Sequence, residues 1–104
     1  MRETDKGGLV LEDSAEFNAA LWAARADGND TLADELLAQG IWTNTTEGTL
    51  SRRAELSVKQ TEEILRLIGD VASGLVVVHP SHQQTARQMQ AQWYSGLGIL
   101  SLDV

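Results

Sequence analysis

One face of the segment from Ser57 to Gly74 has to be buried, and few folds of this size can do it. Ser57 and Gln60 are placed for a capping box, and Thr61, Ile64, Leu65, Ile68, Val71 and Ala72 follow at helical spacing. Leu67 widens the stripe, and Gly74 supplies the stop. Such a helix is stable only against other elements, so the flanking sequence must provide a sheet or further helices. With 104 residues there is room for one core, expected over residues 9–104, after a flexible tail at 1–8 that ends in Gly7-Gly8. An apolar fraction of 42% keeps that core small. Cysteine is absent, which excludes disulfides and thiolate metal sites.

Two more helices are predicted ahead of it. Leu9-Val10-Leu11 reads as a short strand, and Asp13 with Glu16 three residues later starts a helix at Ser14. Its Phe17, Ala20, Leu21 and Ala24 share one face. Trp22 lies beside that face and is expected, with Trp93, to close the core. Asp27-Gly28-Asn29 stops the helix, and Asp30 or Thr31 caps a shorter one bearing Leu32, Leu36 and Leu37, with Gly40 in the left-handed position after its end. Residues 41–56 are rich in β-formers around a Glu47-Gly48 turn and read as a hairpin, with Trp42 partly buried.

The C-terminal third reads as a βαβ unit. Leu75-Val76-Val77-Val78 shows no alternation, the pattern of a strand buried on both faces. Ser81 with Gln84 predicts a capped helix from about 82 to 95, and Ile99 to Val104 alternates like an edge strand. The fold class expected is therefore α+β, or small α/β. The N-terminal helices and the central amphipathic helix would pack on a small mixed sheet built from 75–79, 99–104 and 41–56.

The net charge of −7 is uneven: between residues 12 and 47, eight acidic side chains face the single base Arg25. That face repels phosphate backbones, so no nucleic acid is expected to bind this chain on its own. It also offers Glu12, Glu16, Asp34 and Glu35 as a docking face for a basic protein partner. No apolar run has the length of a signal-peptide core or a membrane span, which makes a soluble, cytoplasmic protein with no membrane contact the expectation.

The candidate chemistry sits at the corner His79-Pro80-Ser81-His82. His79 ends the expected strand, where open α/β sheets place ligands, and Ser81 and His82 sit at a helix start whose free N–H groups favour an anion. Against this, Ser81 is fully explained as a helix cap, and no glycine-rich phosphate loop is present. Nor do the two histidines have the spacing of a helical metal pair, and a Ser81-His82-Asp103 triad lacks a nucleophile elbow. No metal, cofactor or catalytic residue is expected.

Leu75-Val76-Val77-Val78-His79-Pro80-Ser81, with Ala86 and Gln88, resembles the strand-and-helix segment of helicase motor domains that contacts a nucleic-acid backbone. Here the spacing from proline to alanine and glutamine is one residue longer, and the nucleotide-binding loop and acidic metal-binding motif are missing. The resemblance implies kinship with one piece of such a fold and no motor activity.

These features favour non-catalytic binding to a protein partner, as a small acidic regulator of the immunity or antitoxin kind. The alternative is a small enzyme or an anion- or phosphate-binding domain with its site at His79, Ser81 and His82. A two-fold homodimer through residues 82–104 is expected from the alternating final strand and the glutamine-rich helix beside it.

Overall fold

The computed structural model describes residues 2–3, 8–44 and 48–96, with the backbone alone at 2–3 and 93–96. Eight elements follow one another: β1 (Arg2–Glu3), β2 (Leu9–Leu11), α1 (Ser14–Ala26), α2 (Asp30–Gln39), β3 (Ile41–Asn44), β4 (Leu50–Glu55), α3 (Val58–Ser73) and α4 (Pro80–Gly96). The class is α+β. Four strands run in the order β1-β2-β4-β3, every neighbouring pair antiparallel.

Local chemistry explains where the elements begin. Asp13 caps α1 by accepting from the Glu16 amide at 2.9 Å, while Glu16 Oε1 accepts from the Glu12 amide at 2.8 Å. Ser57 and Gln60 complete the expected capping box on α3, at 3.1 and 3.0 Å. Gly74 ends α3 in the left-handed conformation (φ +88°), which glycine adopts without a Cβ penalty. On α2 the cap is Asn29, one residue ahead of the expected Asp30 or Thr31, because its Oδ1 reaches the Leu32 amide.

Packing then assembles these pieces around α1, which touches α2, α3, α4 and β4. Phe17, Ala19, Ala20, Leu21, Ala23 and Ala24 are all buried, so α1 is apolar around most of its circumference. Serine hydroxyls stitch its start to β4: the Ser14 amide donates to Ser51 Oγ, and the Arg52 amide donates to Ser14 Oγ. From α3, Thr61 Oγ1 accepts from the buried Leu9 amide at 2.9 Å, tying that helix to β2. Each tie satisfies a backbone donor that burial would otherwise leave unpaired.

Several expectations need correction. Residues 75–79 form the connection between α3 and α4, its first amides folded back on the Asp70 carbonyl, and among the described residues it pairs with no strand. Val76 and Val78 turn inward against the core, while Leu75 and Val77 face out. A run of β-formers makes a strand only where a neighbouring strand offers a ladder, and the sheet is built elsewhere, from 2–3, 9–11, 41–44 and 50–55. The expected βαβ unit therefore lacks its first strand; its second, 99–104, lies outside the described residues. The likeness to a helicase segment loses the strand half of its pattern for the same reason. Trp22 is 47% exposed and Trp42 57%, so neither fills the core. Phe17, Met89 and the aliphatic stripe of α3 do so instead.

Gly40 follows α2 at φ −64° and ψ 130°, so it does not take the expected left-handed role. Its missing Cβ matters for space. A methyl group there would lie 2.7 Å from Arg52 Nε and 2.9 Å from the Phe17 ring. Gly40→Ala is expected to destabilise the fold by roughly 1–3 kcal/mol through overpacking alone. Chemical denaturation checks this: the midpoint should fall with an unchanged slope.

Candidate functional site

The corner where α4 begins is built by its own backbone. Pro80 occupies the first helical position, where its missing N–H costs nothing. His79 caps the helix in place of the expected Ser81: its Nδ1 accepts from the Ser81 amide at 3.1 Å, and its carbonyl accepts from the amides of His82 and Gln83. Because an amide can only donate, Nδ1 is the bare nitrogen and the ring proton sits on Nε2. The Ser81 hydroxyl, 2.8 Å away, then donates to the same nitrogen.

This arrangement removes the anion site expected at the helix start. Pro80 has no amide, and the next three amides are all bonded to His79. The Ser81 hydroxyl is held within the same cap, and the three amides nearest it are all bonded to His79. Asp103, which a Ser81-His82-Asp103 triad would require, lies outside the described residues. Among the described residues no three His, Asp or Glu side chains converge as metal ligands.

What the corner does form is an open pocket of about 480 Å³. Trp22, Arg25 and Ala26 from the end of α1 make one wall; Val77, Val78, His79 and His82 make the other. His82 stacks on Trp22 with ring centres 6.3 Å apart and planes 17° from parallel, and His79 meets His82 edge-on at 6.1 Å. The Arg25 guanidinium lies 5.7 Å from the Trp22 ring centre. Val77 is 84% exposed. The walls are mainly hydrocarbon and aromatic, with basic groups and no carboxylate. The volume falls within the range of small-ligand sites and anchor pockets.

Of the expected site residues, His79 and His82 are brought together here and Ser81 is tied to His79. The expected partner face is less uniform. Glu12 and Asp34 are exposed, and the exposed Glu35 accepts a hydrogen bond from Gln60 at 2.9 Å. Glu16 is 7% exposed and spent on the α1 cap, which withdraws it from any docking surface. Trp22, Arg25, Val77 and Val78 were not foreseen. Their only signal is a tryptophan and an arginine three apart on one helix, next to the apolar face.

Among the described residues no helix is long and apolar enough to cross a membrane. Compared with family models, with characterised proteins and with solved structures, the chain matches none.

Two outcomes follow from the corner. His79→Ala should cost about 1 kcal/mol by uncapping α4, whereas Ser81→Ala keeps the amide bond to His79 and should cost less. Thermal melts of the two variants decide the order. His82 has its pKa lowered from 6.5, first by burial and second by the neighbouring His79. The folded state therefore holds the His82 proton less firmly than the unfolded chain. The stability linked to this group is complete above 6.5 and is lost as pH falls through 6.5 to the lower folded pKa. Wild type should lose stability against His82→Gln over that window, and an NMR titration should place the His82 midpoint below 6.5.

Proposed function

We propose that this chain is a non-catalytic binding module that docks a protein partner through the corner pocket. The observation that carries this reading is an exposed Trp22 and Val77 flanking a cavity whose charged side chain is Arg25, in a chain of net charge −7. Large apolar side chains held in water at a concave site are what a partner's anchor residue buries, and tryptophan and arginine dominate such anchors. The partner's matching group is an apolar or aromatic side chain beside a carboxylate. The apolar part enters between Trp22 and the two valines; the carboxylate meets Arg25, with the imidazoles as further donors. This replaces Glu12, Glu16, Asp34 and Glu35 as the leading contact.

A small anionic ligand in the same pocket is the second reading. The convergence of Arg25, His79 and His82 on one cavity favours it. A photo-reactive residue at Val77, which is exposed, separates the two. The expected result is one cross-linked protein from host cells, lost in Trp22→Ala and Arg25→Glu variants that still melt like wild type. In the purified complex Trp22→Ala should weaken binding by roughly 2 kcal/mol, about 30-fold. Cross-linking that ignores both substitutions removes the pocket from partner binding. A melting temperature raised by small aromatic carboxylates, with no cross-linked protein, selects the second reading.

A further inference from the structure

We infer that the free edge of β3 is a separate docking site, and that it takes an extended acidic peptide segment as an added strand. β3 pairs with β4 along one side, Ile41 opposite Arg53 and Trp42 opposite Arg52. Among the described residues no strand lies on its other side. Alternate N–H and C=O groups of Ile41–Asn44 therefore point away from the sheet. Natural edges of this kind are guarded by charge, proline or a bulge. Ile41, Trp42, Thr43 and Asn44 bring neither charge nor proline, and their register with β4 is unbroken. Ile41 is 63% exposed and Trp42 57%, so the edge presents apolar side chains as well as backbone.

Charge identifies the occupant. The chain holds 15 acidic residues and 8 lysines and arginines, yet neither arginine behind this edge meets a carboxylate among the described residues. The Arg52 guanidinium lies 4.6 Å from the Phe17 ring centre and 5.2 Å from that of Trp42. Its Nε is buried without an acceptor, and its Nη2 reaches the Leu37 carbonyl only at 3.5 Å. Paired residues share a face and successive residues alternate, so Arg53 stands on the opposite face, beside Ile41. One guanidinium thus backs each face of the edge. An added strand would lie two strand spacings, about 9.6 Å, from β4, so a long glutamate side chain and an arginine can meet across β3. Main-chain pairing supplies the affinity, and alternate acidic side chains supply the choice of partner.

The test uses the full chain and a displayed library of random eight-residue peptides. Enrichment should favour aspartate and glutamate between β-formers. A synthetic copy of an enriched peptide should bind wild type and Trp22→Ala equally, and bind Trp42→Ala and Arg53→Glu at least tenfold more weakly. Both weakened variants alter exposed or half-exposed side chains, and unchanged melting confirms that they fold. N-methylation of alternate peptide amides should abolish binding. Absence of acidic enrichment, binding that survives N-methylation, or equal binding to Arg53→Glu overturns the inference. So does a dimer in sedimentation that Trp42→Ala or Arg53→Glu dissolves, which would make a second copy the occupant.

Discussion

Burial of α1 around most of its circumference is the constraint from which the remaining structure follows. A helix surrounded by α2, α3, α4 and β4 needs small side chains where its neighbours come closest, and Ala19, Ala20, Ala23 and Ala24 provide them. The one buried ring of α1, Phe17, lies against Gly40, where a Cβ would come within 2.9 Å of it. Arg52 then lies over Phe17 and Trp42, so one missing methyl group helps set both the core and the free edge of β3. Trp22 and Arg25 fall on the remaining, exposed side of α1. They remain at the end of α1, facing the start of α4.

Much of this was legible in the chain, because caps and periodicity are local. The starts of α1 and α3, the left-handed Gly74 and the hairpin over 41–56 each depend on residues a few positions apart. Residues 75–79 were misread for the opposite reason. Four consecutive apolar residues encode a preference for extended backbone, but a strand needs a partner from elsewhere in the chain, and the amides of Leu75 and Val76 bond back to Asp70 instead. The burial of Val76 and Val78 against the exposure of Leu75 and Val77 shows an alternation that identical valines cannot announce. The pocket was half legible. His79 and His82 stood out by type, whereas Trp22 and Arg25 join them only because α1 ends where α4 begins.

The corner also shows how a cap changes the chemistry of a site. Had Ser81 capped α4, the imidazole of His79 would have been left for a ligand. With His79 as the cap, its ring nitrogen and carbonyl take up the amides an anion would have used. What is left for binding is the face of the rings and the guanidinium of Arg25, which suits a flat or apolar group better than a bare phosphate. A ring proton on Nδ1 in place of Nε2 would set two donors, the ring N–H and the Ser81 amide, against each other. The cap is thus compatible with one tautomer only.

Charge is distributed so that long range and short range act in opposite directions. Seven excess negative charges repel an approaching anion out to about a screening length, roughly 10 Å at 0.1 M salt. Arg66 spends its charge on Asp27 and Asp70, and Arg87 donates to the Ala72 carbonyl. Arg25, Arg52 and Arg53 lie instead beside exposed aromatic or apolar side chains. An acidic segment gains from these arginines only after its apolar side chains have brought it into contact, since the attraction is local and the repulsion is not. For a ligand that offers charge without a fitting apolar group, the repulsion would stand uncompensated. Selectivity of this kind comes from the costs imposed on the wrong ligand as much as from contacts with the right one.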